Sequence, residues 1–290
     1  MARRSPTHRA RVLEAIAAWD ATFRRDHAAA ALAKDPLRFA RRYDDRDDRE
    51  LVALVSALLA FGRVSIISAK LEELLARLAP SPAATARAVP RAQLVAKLRS
   101  FRHRTFAGED IARLLHAGGR LQARDGSVFT SLERAFAARG DLRAALADWV
   151  GELRTIGWPK GPSRGAKHLL PDPAGPSASK RLFLLLRWVA RPDDGLDLGL
   201  AAIPPSALSI PVDVHVQRIG RNLGLTRRDD ASRRTADEIT DALRELSPHD
   251  PVRYDMALCH LGIARQCPSR RDPVRCEGCA LQPVCVHWDE

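Results

Sequence analysis

Apolar positions recur at helical spacing along most of this chain. "ELVALVSALLAFG" (50–62) is apolar nearly all round, which predicts a buried central helix. "SIISAKLEELLARLA" (65–79) has apolar residues at helical spacing, and the proline-bearing "PSPAATARAVP" (80–90) is expected to break that helix. "DIARLLHAGGRLQ" (110–122), "SLERAFAAR" (131–139) and "DLRAALADWVGEL" (141–153) read as amphipathic helices punctuated by Gly and Asp. Residues 159–178 are dense in Pro, Gly and Ser and read as loop, leading into an apolar helix, "SKRLFLLLRWVAR" (179–191). A second loop (192–211) precedes "VDVHVQRIGRNLGL" (212–225), followed by "TADEITDALREL" (235–246) and "VRYDMALCHLGIARQC" (252–267). Strand signals are scarce, and no internal repeat or low-complexity tail is present. The expected fold class is all-α.

The length of 290 residues suffices for one large or two medium domains, and a hydrophobic content of 46% marks a globular chain. Net charge is +12, and only six of the 47 basic residues are lysines. The arginine excess partly reflects base composition, but the surplus still favours an anionic partner, nucleic acid first. The rival reading is a merely basic enzyme. "MARRSPTHRARVLEAIAAWD" lacks an apolar export core and a small-residue cleavage site, and no stretch reaches the ~18 apolar residues of a membrane span. A cytoplasmic protein with no membrane partner is expected.

That expectation bears on the cysteines. Four of five fall in "CPSRRDPVRCEGCALQPVC": Cys267, Cys276, Cys279 and Cys285. Disulfides need an oxidising compartment, so such a cluster in a cytosolic chain points to metal. Zinc ribbons usually carry two C-x2-C pairs at some distance; here one C-x2-C follows a gap of eight and precedes a gap of five. One compact thiolate loop fits a [4Fe–4S] core better, while zinc and unligated thiols remain open at this point. Cys259, in an apolar helical segment, reads as a buried thiol.

Three features stand in order: the loop "LLPDPAGPSASKRLFLLL", the segment "IPVDVHVQRIGRNLGL", and a final helix running into the cysteine loop. This order resembles the helix-hairpin-helix (HhH-GPD) DNA glycosylase superfamily, and within it the endonuclease III-like branch. That branch pairs a glycine-containing hairpin with a "VDTHV"-type segment and a C-x6-C-x2-C-x5-C loop. The resemblance covers 165–285 and extends more weakly back to about residue 50. It implies a two-lobed fold and a [4Fe–4S] cluster held by the four cysteines. The chain departs from the pattern in its first cysteine gap and in a hairpin that reads "PDPAGPSASK" where the family has "LPGVGRKTA". A longer loop also precedes "VDVH", and "AFGRVS" stands where the family has a polar turn after the early helix.

Asp213 reads as the N-cap of a helix with Val216, Ile219 and Leu223 on one face. A cap alone contributes about 1 kcal/mol. Backbone N–H groups and the helix dipole also hold such a carboxylate ionised. The resemblance implies that Asp213 stabilises positive charge on a sugar as its base departs, or activates a nucleophile. It also implies a lysine after the hairpin that attacks C1′ and forms a Schiff base, allowing β-elimination; Lys180 is the candidate, with Lys160 and Lys167 weaker. Without that attack, water activated by Asp213 makes the enzyme monofunctional. The rival reading of Lys180 is a solvated or phosphate-contacting side chain.

The hairpin, about Pro171 to Ser179, is expected to bind backbone phosphate through Gly175, Ser177 and Ser179, although Pro173 and Pro176 remove two donors. Arg218 and Arg221 lie one turn beyond "VDVH" as phosphate contacts or solvated arginines. Arg270, Arg271 and Arg275 sit in the cysteine loop as candidate phosphate contacts. His215 is expected to pack or hydrogen-bond rather than act as an acid, and Phe183 and Trp188 to lie in the core.

The expected organisation is an N-terminal segment (1–48) packing with the C-terminal lobe and a helical bundle (49–190) with the hairpin at 165–182. A C-terminal lobe (191–266) and a cluster loop (267–285) follow. The implied groove between lobes has Lys180 and Asp213 facing each other across it. The expected activity is that of a monomeric DNA glycosylase, a glycosylase/AP lyase where Lys180 attacks. It acts on double-stranded DNA with a damaged or mispaired base. The alternatives are a non-catalytic nucleic-acid-binding protein on the same scaffold and a zinc-stabilised interaction module.

Overall fold

The computed structural model describes residues 6–288. Helix accounts for 63% of the chain and strand for 2%, so the class is all-α. The named strands among the described residues are Arg102–His103 and Phe106–Ala107, an antiparallel pair. No helix among them is long and apolar enough to cross a membrane.

The chain divides into two compact units. The larger comprises Leu32–Gly175 and Leu184–Ile203. Its central helix, Arg46–Leu59, starts where Asp45 accepts a bond from the Asp48 N–H at 2.9 Å. Every residue from Leu51 to Leu59 is buried, as the all-round apolar pattern requires. Glu50 is fully buried on the same helix and accepts bonds from Ser127 Oγ at 2.8 Å and Val128 N at 2.9 Å. A buried carboxylate is tolerated only with such partners. The helix Gly108–Asp125 packs beside it, and Leu142–Gly157 packs against that helix in turn; Asp141 caps Leu142–Gly157 through the N–H groups of Arg143 and Ala144.

The second helix, Val64–Leu78, ends where the break is expected, and the stretch beyond it forms a short helix of its own, Pro82–Ala88. Ser81 caps it, accepting from Ala84 N at 3.1 Å, and Pro82 stands at the first helical position. There its missing N–H costs nothing, because that group has no helical partner anyway. Pro82 thus starts a helix just after the break.

The second unit comprises the residues to Ala31, Pro176–Phe183 and those from Pro204 onward. Its first helix, Pro6–Asp26, runs for 21 residues. Trp19 Nε1 donates to Ala257 O at 2.9 Å, and the buried Asp20 pairs with Arg24 and Arg253, each at 3.1 Å. The helices Val214–Asn222 and Asp255–Arg265 pack closely, with Arg233–Arg244 beside the first.

The boundaries between the units fall at 31/32, 175/176, 183/184 and 203/204. Backbone pairing explains the second: Ser177 bridges Ser232, and Arg233 N donates to Pro176 O at 2.8 Å. The loop after residue 190 stays with the larger unit because Arg187 and Arg191 form buried ion pairs with Asp197. In addition, Leu198 N donates to Trp188 O at 2.7 Å. Phe183 and Trp188 are both buried.

Candidate functional site

Asp213 stands at the N-cap of the Val214–Asn222 helix with an extended backbone. Its two carboxylate oxygens are used differently. Oδ1 accepts from His215 N at 2.9 Å and Val216 N at 3.0 Å, which fixes the carboxylate plane. Oδ2 accepts from Lys180 Nζ at 2.9 Å and lies 4.0 Å from Cys259 Sγ. Lys180 opens the Lys180–Ala190 helix, 33 positions earlier in sequence. Both residues belong to one compact unit, so the pair is assembled within that unit and not across two lobes. Side-chain exposures of 34% for Lys180 and 17% for Asp213 leave the pair reachable from solvent.

The electrostatics reinforce the pairing. Burial pushes the Lys180 ammonium towards deprotonation, but the charges of Asp213, Cys259 and Asp255 outweigh it, so its pKa stands above the ordinary lysine value. Burial likewise raises Asp213, but Lys180 and the Val216 N–H outweigh that, and the carboxyl sits below its usual range. At neutral pH the site holds an ammonium against a carboxylate. Asp255 is buried at the start of the Asp255–Arg265 helix, and Cys259 lies one turn further along the same helix. Cys259 is half-buried at the edge of this pair rather than lost in the core. Its helix carries no polar pattern to mark it, and only the packing of two distant segments reveals its neighbours.

Gly262, also on that helix, allows the crossing. A Cβ there would stand 3.1 Å from both His215 Cβ and Ile219 Cδ1. His215 is half-buried against this crossing, a packed residue.

The hairpin region differs from a glycine-rich turn. After a short helix, Arg164–Leu169, the chain turns at Asp172, whose Oδ1 accepts from Ala174 N at 2.9 Å. Gly175 is not in the left-handed region; a Cβ there would meet Asp172 O at 3.3 Å, so the glycine eases a close approach only. Ser177 is exposed, and its Oγ accepts from Ser179 N at 3.2 Å. Ser179 is buried with φ of +50°, a strained conformation for a residue with a side chain. That twist places Lys180 at the first position of its helix.

The four cysteines of the tail line one pocket that opens to solvent. Ile219, Leu223, Leu261 and Leu281, all buried, complete its apolar wall. Among the described residues no three His, Cys, Asp or Glu side chains meet closely enough to hold a single metal ion. Burial and the neighbouring thiols raise the Cys267 pKa although Asn222 opposes them, and the same causes push Cys285 up to about 11. Such thiols stay protonated until a positively charged core compensates them. The donor set, soft sulfur in an apolar wall, fits an iron–sulfur core.

The arginines expected to contact phosphate fall into two groups. Arg218 donates to Cys267 O at 3.0 Å, Arg271 lies 4.2 Å over the Trp288 ring, and Arg275 pairs with Asp272 at 3.6 Å. These three are tied to the cysteine loop. Arg221 and Arg270 are exposed and have no carboxylate within ion-pair distance among the described residues.

No curated protein matches the chain. The profile of the family described as "Protein of unknown function (DUF2400)" matches residues 35–264, a span that takes in Lys180, Asp213 and Cys259, and the chain belongs to that family.

Proposed function

We propose that the protein is a DNA glycosylase of the helix-hairpin-helix type, which flips a damaged or mispaired base from duplex DNA and cleaves its N-glycosidic bond. The contact that carries this reading is Lys180 Nζ to Asp213 Oδ2 at 2.9 Å, in a solvent-reachable position at the start of two helices. Asp213 spends one oxygen on its helix and keeps the other for chemistry. A carboxylate held below its ordinary pKa offers fixed negative charge to the cationic sugar carbon formed as a base departs.

For Lys180 to attack C1′ its ammonium must first lose a proton, and Asp213 Oδ2 is the acceptor at hand. Its raised pKa opposes that loss, which favours water as the nucleophile and Lys180 as a positioning cation. Hydrolysis then breaks the C1′–N bond, the base leaving with the electron pair; a water hydroxyl joins C1′ and the water's proton passes to the departing base, which leaves an abasic site. A [4Fe–4S] core would be held by Cys267, Cys276, Cys279 and Cys285 and would supply a fixed fold for the tail. Hydrolysing a glycosidic bond needs no electron from it.

The test is a panel of lesion-bearing duplexes assayed for base release. On the best substrate, Asp213→Asn is expected to lower release by roughly 10²–10⁴-fold while duplex binding stays within a few-fold. Unchanged release in that variant overturns the mechanism. Borohydride separates the two chemistries: no trapped protein–DNA adduct is expected. An adduct that disappears in Lys180→Ala would assign the lyase step to Lys180.

A further inference from the structure

The helix that begins at Asp213 ends at Asn222. Asn222 is only 6% exposed, and its amide is fully engaged. Nδ2 donates to Pro268 O at 2.8 Å and to Cys267 Sγ at 3.3 Å. Oδ1 accepts from His287 Nε2 at 3.1 Å, and the backbone carbonyl of Asn222 accepts from Val286 N at 2.7 Å. These partners lie at opposite ends of the cysteine loop. Cys267 and Pro268 open it, while Val286 and His287 follow its last thiol, Cys285. One side chain therefore closes the loop and registers it against the helix of Asp213. It is also the single side-chain amide bonded to a cysteine sulfur among the described residues.

We infer that Asn222 is the positioning residue that fastens the cysteine loop to this helix, and that its N–H···S bond tunes the reduction potential of the iron–sulfur core held there. The inference rests on the cluster reading above. A bond donated to a ligating thiolate draws charge from the sulfur and stabilises the more negative, reduced core, which raises the potential. Pro268 O sets the orientation: a carbonyl can only accept, so it holds Nδ2 on its side, beside Cys267, and leaves Oδ1 to accept from the N–H of His287 Nε2. The sequence hid this residue: an asparagine at a helix end reads as an ordinary C-terminal signal, and its partners lie 45 or more positions away.

The experiment measures the full chain purified without oxygen. Iron content is read first, then the one-electron midpoint potential at an electrode, then the rate of iron loss to a chelator. In Asn222→Ala the potential is expected to move to a more negative value and iron to be lost about 10–100-fold more readily. His287→Ala keeps Asn222 but loosens its amide, and the same direction of shift is expected at smaller size. If Asn222→Ala does not fold, the His287→Ala shift decides alone. An iron-loaded variant with the parental potential and parental iron release overturns the inference. A parental chain that takes up no iron overturns the cluster reading instead, so the two failures are distinct.

Discussion

At the scale of single residues, Asp213 combines a structural duty with a proposed chemical one, and substitutions can separate them. Asn caps a helix about as well as Asp, so Asp213→Asn should keep the cap while losing the ion pair with Lys180 and base release. Asp213→Ala loses the cap as well and should cost about 1 kcal/mol more than Asp213→Asn, read by thermal or urea unfolding. The ion pair sets a pH signature. Asp213 has a depressed pKa in the folded chain, so its contribution is present above the unfolded value of ~3.9 and is lost as pH falls below it. Lys180 has a raised one, so its contribution is present below ~10.4 and is lost as pH rises further. Melts of parent and Asp213→Asn should therefore differ most between these limits and converge beyond them. A difference that stays constant across the whole range would mean that the pair is not formed. Asp213 was legible in the sequence because capping has a local signature. The neighbours that shape its charge, Asp255 and Cys259, were not, because they arrive from a helix more than 40 positions later.

At the scale of elements, the helices were legible and their punctuation less so. Apolar periodicity placed the Lys180–Ala190 helix to within a residue, whereas the buried Arg46–Leu59 helix starts four residues before the expected 50 and ends three before 62. It placed the break after the second helix, which ends at Leu78, but missed the short helix Pro82–Ala88 that follows, where proline at the first helical position marks a start. It also failed for the hairpin. Nothing local to "PDPAGPSASK" announces that Pro176 and Ser177 pair with the chain before Arg233. The crossing of the Val214–Asn222 and Asp255–Arg265 helices offers a test at this scale. Gly262 is where the two backbones come together, and a larger side chain would press on His215 and Ile219. Gly262→Val is expected to destabilise the protein by about 1–3 kcal/mol through overpacking. Because His215 and Ile219 follow Asp213 on one helix, base release should fall even at temperatures where the variant stays folded. Stability and activity equal to the parent would mean that the crossing is looser than these distances require.

For the molecule as a whole, the question is how much of the +12 charge is available to a polyanion. Much of the basic surplus is spent internally. Arg41 and Arg49 pair with Asp193, Arg187 and Arg191 with Asp197, and Arg24 and Arg253 with Asp20. Other exposed cations have no carboxylate within ion-pair distance among the described residues: Arg63, Arg102, Arg104, Lys160, Arg164 and Lys167, besides Arg221 and Arg270. Sequence composition gives the surplus but not this division, because ion pairing joins residues far apart in the chain. Duplex binding is therefore expected to weaken linearly in log–log form with salt, each neutralised phosphate adding a slope of about −0.9. If four or more of the unpaired cations engage, affinity should drop by at least ~10²-fold between 50 and 200 mM salt. Replacing Arg221 and Arg270 together by Gln should flatten the slope by about 2 if both reach phosphate, without altering the base-release step on bound DNA. The corresponding change at Arg218 should act differently. Its guanidinium holds Cys267 O, so Arg218→Gln is expected to loosen the cysteine loop and hasten iron loss, with little change in the salt slope. A slope that follows Arg218 and ignores Arg221 and Arg270 would reverse that division and move the DNA-contacting surface onto the cysteine loop itself.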